Sequence, residues 1–207
     1  MGKYKDGISG PFSGKVGAVI GSSWKGKPYM KSVPLKFHDA KTEGQMLHRA
    51  KFSAAVAFSK KLKSFAKKSF VEFAKDKSAY NAVMQYNFRN AFKADESGVE
   101  TFYDRIMVGR GSLTAAAGVS FSRDGGNVIV SWTDNSGDGS AKSKDIAMMA
   151  LIDTTNMNVE TFENVGRRSD TTGMVETKIS PDHEVACYLT FYSEERELAS
   201  DSVFGMV

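Results

Sequence analysis

The chain has 207 residues, 41% of them hydrophobic, enough to bury a sizeable core as one large domain or two small ones. A single cysteine, Cys187, excludes an internal disulfide and a cysteine-rich zinc site, and no apolar run is long enough to cross a bilayer as a helix. The net charge of +4 conceals a division: residues 1–94 carry 19 Lys/Arg against 5 Asp/Glu, or +14, and residues 95–207 carry 9 against 19, or −10.

So basic a half expects an acidic partner, whether nucleic acid, an anionic surface or an acidic protein, and the acidic half of a neighbouring copy is one candidate. A solvated lysine face is the alternative. The N-terminal MGKYKDGISG lacks the apolar stretch of a signal peptide, so a cytoplasmic protein, or part of a particle assembled there, is expected.

Residues 1–42 are rich in glycine, hold three of the four prolines and interleave Lys15, Lys25, Lys27 and Lys31 with Trp24, Tyr29 and Phe37. Glycine and proline disfavour a helix, and the scattered apolar anchors predict an extended basic arm that docks on a partner. Within it, Gly21 to Lys27 spells G-x-x-x-x-G-K, seven of the eight positions of a phosphate-binding loop. The eighth is Pro28, which offers neither a hydroxyl for magnesium nor an N–H, and residues 29–34 are extended in character, so the motif does not predict a nucleotide site.

From about Glu43 the period turns helical. Phe58, Leu62, Phe65, Ala66, Phe70 and Phe73 share one sector and Lys60, Lys61, Lys63, Lys67 and Lys68 the other, an amphipathic helix with a lysine face. Asp76-Lys77-Ser78 then supplies cap residues, and Tyr80, Val83, Met84, Phe88 and Phe92 predict a second helix to about Lys93. Together they make a helical hairpin over 43–94.

Beyond Gly98 the period becomes two. Strands are predicted at 103–108, 118–122, 127–133, 146–153, 159–164, 174–179, 185–192 and 202–207, separated by turn residues, which argues for an antiparallel β-sandwich over 99–207. Asp134, Ser136, Asp138, Gly139 and Asp145 fall at positions 1, 3, 5, 6 and 12 of a calcium loop, although Lys142 stands at position 9 and the flanks read as strands. His38, His48 and His183 show no metal-ligand spacing, Cys187 reads as a buried hydrophobe, and Ser112 lacks the G-x-S-x-G frame of a nucleophile elbow. No catalytic constellation, cofactor or small-molecule substrate is predicted.

Two stretches of this half carry a resemblance. Val128-Ile-Val-Ser-Trp132-Thr and Pro181-Asp-His-Glu-Val-Ala-Cys-Tyr-Leu189 resemble the tryptophan-bearing second strand and the sixth strand of a fibronectin type III, immunoglobulin-like sandwich, with Val185 where that family has its corner tyrosine. A second resemblance spans the chain. Gly10-Pro-Phe-Ser-Gly-Lys-Val-Gly17, Arg49-Ala-Lys-Phe52, Tyr86-Asn87, Arg110-Gly-Ser-Leu113 and Trp132-Thr-Asp-Asn-Ser-Gly137 resemble a family of uncharacterised proteins of Bacteroidetes, a domain of unknown function. It implies a shared fold and brings no activity.

The sequence therefore predicts an α+β chain: arm, helical hairpin, immunoglobulin-like sandwich. It points to a non-enzymatic structural or interaction protein that assembles with itself or another protein through Lys15, Trp24, Lys25, Lys27, Tyr29, Lys31, Lys60, Lys63 and Lys67. Sequence-independent nucleic-acid binding by the same basic half is the alternative, and a calcium-stabilised adhesion-type module a weaker one.

Overall fold

The computed structural model describes residues 2–4, 7, 10–34, 39–74 and 77–207, so Lys36, Phe37 and His38 of the expected arm and Asp76 of the expected cap lie outside the described residues. The chain divides into two units, Met1–Thr42 and Glu43–Val207. It is mostly β, with several antiparallel sheets and a smaller helical part.

The first unit is a sheet where an extended arm was expected. Its strands β1 (Lys3–Tyr4), β2 (Phe12–Val16), β3 (Val19–Trp24) and β4 (Lys27–Ser32) pair antiparallel in sequence order. Two-residue turns fold β2 onto β3 and β3 onto β4. In the Lys25-Gly26 turn both residues are left-handed, φ 48° and 79°, as a tight hairpin matched to strand twist requires. Gly21 has a different reason to be glycine: a Cβ there would lie 2.1 Å from the Phe12 carbonyl oxygen. Glycine, which argued against a helix, here supplies the hinge and the close approach that make a sheet.

The second unit opens with α1 (Glu43–Lys61), α2 (Ala66–Ser69) and α3 (Ala79–Asn90). The helix expected to run through Phe73 breaks after Lys61, where the Lys63 N–H bonds to the Lys60 carbonyl in a tighter turn. Its apolar sector still turns inward: Phe58, Leu62, Phe65, Ala66 and Phe70 are buried while Lys60, Lys61, Lys63 and Lys67 stay exposed. Ser78 caps α3, its hydroxyl accepting from the Asn81 N–H at 3.2 Å. That helix stops at Asn90, short of Lys93, because the chain enters a hairpin of β5 (Phe92–Asp95) and β6 (Gly98–Thr101). The strand expected at 103–108 is instead a 3-10 turn, Tyr103–Arg105, whose Tyr103 carbonyl accepts from the Tyr188 hydroxyl at 2.7 Å.

The remaining strands are β7 (Ala117–Asp124), β8 (Asn127–Thr133), β9 (Ile146–Asp153), β10 (Val159–Arg167), β11 (Thr172–Glu176), β12 (Val185–Ser193), β13 (Leu198–Ala199) and β14 (Val203–Met206). One sheet runs β11-β8-β7; the other runs β10-β9-β12, with β13 and β14 both pairing on the far side of β12. Val128, Val130, Trp132 and Val175 of the first sheet share a core with Ala147, Met149, Leu151, Cys187, Leu189 and Phe191 of the second, a β-sandwich. The opposite face of β9 and β12, with Met148, Ala150, Ile152, Ala186 and Tyr188, shares a second core with Phe58, Leu62, Phe65 and Phe70 of the helical segment. Strand β12 is consequently buried at all nine positions. Three layers result, helical, sheet and sheet. No described helix is long and apolar enough to cross a membrane.

Candidate functional site

In an antiparallel pair, directly opposed residues share a face and successive residues alternate. The register opposes Trp24 to Lys27, Ser22 to Tyr29, Ile20 to Lys31 and Lys15 to Ile20. Lys15, Trp24, Lys27, Tyr29 and Lys31, named from sequence as partner contacts, therefore lie on one face of the N-terminal sheet. Trp24 is 67% exposed and Tyr29 46%. No Asp or Glu occurs in the four strands, so no carboxylate within them neutralises the lysines. Lys25 sits in the hairpin turn beside them.

The reverse face is different in kind. Val16, Val19, Gly21, Pro28 and Met30 share it by the same register, Phe12 packs on Gly21, and Tyr4 stacks on Phe12 with centroids 5.8 Å apart. Met30 is 71% exposed and Val16 41%. One face is thus cationic and aromatic, the other apolar and uncharged, and Gly21 is the only buried residue among those described in the unit.

Lys60, Lys63 and Lys67 belong to the larger unit and are exposed. Their neighbour Lys68 is engaged, its ammonium 2.9 Å from Glu163 and holding that carboxyl below the usual range. Lys61 donates to the Met157 carbonyl. The lysine face of the helical segment is therefore partly committed to holding β10 and the turn before it.

The other motifs resolve into structural roles. Gly21 to Lys27 is a strand, a turn and the start of β4, with no helix to present N–H groups to a phosphate. In the calcium-like loop, Asp145 is 1% exposed and bonded throughout: Arg168 Nε lies 3.2 Å and the Lys142 N–H 2.8 Å from Oδ2, and Arg196 lies 3.1 Å from Oδ1. Two guanidinium groups occupy the carboxylate that a cation would need, and Asp134 folds back to accept from the Ser136 N–H and hydroxyl. Among the described residues no three His, Cys, Asp or Glu converge as a metal site.

His48 packs against Phe88, and His183 Nδ1 lies 2.8 Å from Asp153 Oδ2. Burial pushes Asp153 upward, but hydrogen bonds from His183 and the Thr155 N–H outweigh it and hold the carboxyl below its usual range. Burial pushes the Cys187 thiol up to about 12, which leaves it unreactive. Ser112 donates its hydroxyl to Glu72 at 2.7 Å, a tie between loop and helical segment.

Arg168 was not singled out from sequence. It is fully buried, donates to Asp145, to Asn135 Oδ1 at 2.5 Å and to the Thr114 carbonyl at 2.8 Å, and lies 3.8 Å over the Phe191 ring, while its own carbonyl accepts from Trp132 Nε1. This group fastens the β8–β9 loop to the sandwich. In composition it is one arginine among eight, and no motif marked it.

Residues 11–205 match the Family of unknown function (DUF6266), and no curated protein matches the chain.

Proposed function

We propose that this chain, which belongs to the Family of unknown function (DUF6266), is a non-enzymatic interaction protein whose N-terminal sheet docks on the acidic half of a second copy. The observation that carries the reading is the gathering of Lys15, Trp24, Lys27, Tyr29 and Lys31 on one face of a sheet whose strands contain no acid. Charge complementarity names the partner: the strands of the sheet carry lysines and no acid, and residues 95–207 of another copy carry a net −10. In this reading the sandwich, immunoglobulin-like as the Trp132 strand suggests, is the ground on which the sheet lands. Trp24 and Tyr29 are the aromatic anchors and the lysines the rim.

The second face favours assembly over a purely electrostatic ligand. A small sheet without an enclosed core that leaves Val16, Val19 and Met30 exposed gains by covering them, which an apolar protein surface does and a polyanion does not. Analytical ultracentrifugation of the full chain across protein concentration and salt tests the reading. Self-association that weakens with salt and is lost in Trp24→Ala/Lys27→Gln/Lys31→Gln supports it; a monomer at every concentration in low salt overturns it.

A specific observation favours one other reading. Exposed rings set among lysines on a sheet also make a stacking platform for single-stranded nucleic acid. Salt-sensitive binding of a fluorescent oligonucleotide by a monomeric chain, lost in the same triple variant, would install that reading in place of the first.

A further inference from the structure

The larger unit carries a second cationic place that no sequence motif announced. Between α3 and the segment after the Tyr103–Arg105 turn lies a cleft of about 180 Å³, lined by Phe73, Lys77, Gln85, Tyr86, Arg89 and Arg110 among others. Arg110 is held there from two sides. The backbone N–H of Arg110 donates to the Ser69 carbonyl at 2.8 Å, and its guanidinium lies over two rings, 4.5 Å from the Phe73 centroid and 5.1 Å from that of Tyr86. Root and plane are therefore both fixed.

Among the described residues the guanidinium meets no acceptor. Three arginines of this unit are occupied: Arg168 by Asp145, Asn135 and Thr114, Arg196 by Asp145, Ser193 and Ser140, and Arg123 by three backbone carbonyls. Arg110 is half-buried and none of its side-chain N–H groups meets a hydrogen-bond acceptor among the described residues. Lys77 and Arg89 bring two more positive charges to the same cleft, and the Lys77 ammonium is held at the wall by donating to Gln85 Oε1. No carboxylate occurs among the lining residues described. A planar fork held by ring stacking, with its donors unused and two further cations beside it, is the arrangement that binds an oxyanion bidentately. Three cations exceed what one carboxylate neutralises and suit a doubly charged group.

We propose that this cleft binds a phosphate dianion, with Arg110 as the bidentate clamp and Arg89 and Lys77 as flanking charges. The source is either free inorganic phosphate or the phosphate of a small ester, and the chemistry is the same for both.

The experiment is calorimetric titration of the full chain with inorganic phosphate, with glycerol phosphate and with acetate, at matched ionic strength. Saturable phosphate binding is expected, weakened about tenfold or more by Arg110→Gln and severalfold by Arg89→Gln, with acetate far weaker. Tighter binding of glycerol phosphate than of phosphate would identify the ester as the source, and the reverse the free ion. Because Arg110 also packs on two rings, Arg89→Gln, which changes only an exposed side chain, keeps the test valid if Arg110→Gln unfolds. Lys27→Gln/Lys31→Gln is expected to bind phosphate as the parent does, which separates this cleft from the N-terminal sheet. The proposal is overturned by no saturable binding, by acetate binding as tightly, or by binding that survives both arginine substitutions and is lost with the lysines.

Discussion

Replacing Arg168 by methionine tests whether the buried ion network holds the larger unit together. The side chain keeps similar volume and loses every donor, so Asp145 Oδ2, Asn135 Oδ1 and the Thr114 carbonyl each lose a partner, as does the Phe191 ring at 3.8 Å. Removing one member of a buried pair costs about 3–5 kcal/mol, because the charge left behind is uncompensated. Here Asp145 keeps Arg196 at 3.1 Å and the Lys142 N–H at 2.8 Å, so the lower end, about 3 kcal/mol, is expected. For a unit of this size that is a fall in Tm of about 6–12 °C. Urea unfolding followed by Trp132 emission, in a Trp24→Phe background so that one indole reports, measures it directly. A loss below about 1 kcal/mol for Arg168→Met would refute the argument that charge compensation fixes this loop.

Four further outcomes are expected. Phe65→Ala, at a fully buried position of the core between sheet and helical segment, should cost about 3–5 kcal/mol in the same urea assay. Gly21→Ala drives a Cβ into the Phe12 carbonyl, so amide spectra should show the N-terminal sheet lost and the larger unit intact. Asp153 titrates below its usual 3.8 in the fold, so its stabilisation is complete above that value and is lost as pH falls below it through the depressed folded value; the stability gap to Asp153→Asn should hold at about pH 5–7 and narrow progressively below the usual 3.8. Cys187, buried and with its thiol pushed up to about 12, should react with a thiol reagent only at the rate of global unfolding, and prompt labelling of the native chain would contradict its placement.

Strands with regular punctuation were legible in sequence: β8 and β9 begin and end at the residues that alternation and turn chemistry predicted. What alternation hid is that β9 and β12 have no outer face. Small or moderately polar side chains such as Ala150, Ala186, Tyr188 and Thr190 read as outward positions, yet all four are buried, and the first three lie under the helical layer, a cover that only tertiary structure supplies. The 103–108 segment alternates as well as any strand, but Tyr103 is taken by Thr154 and Tyr188 rather than by a neighbouring strand. In the first forty residues glycine masked a period of two that the register makes plain, and five of the nine contact residues named from composition fall on one face because of it. The role of Arg168 was not legible for a different reason. An arginine's role depends on which acceptors converge on it, and Thr114, Asn135 and Asp145 converge on Arg168 from other parts of the chain.

The pairing of β9 with β12 runs unbroken from Val185 opposite Asp153 to Tyr192 opposite Ile146. Its two strands take one face from the sandwich and the other from residues far upstream in the chain, such as Phe58. Evolution therefore cannot shed the helical segment and keep a free-standing sandwich, since the cut would bare Met148, Ile152 and Tyr188 as an aggregation-prone wall. Length changes that such a fold tolerates belong in its surface loops. The amides of this ladder should be the last in the molecule to exchange with solvent.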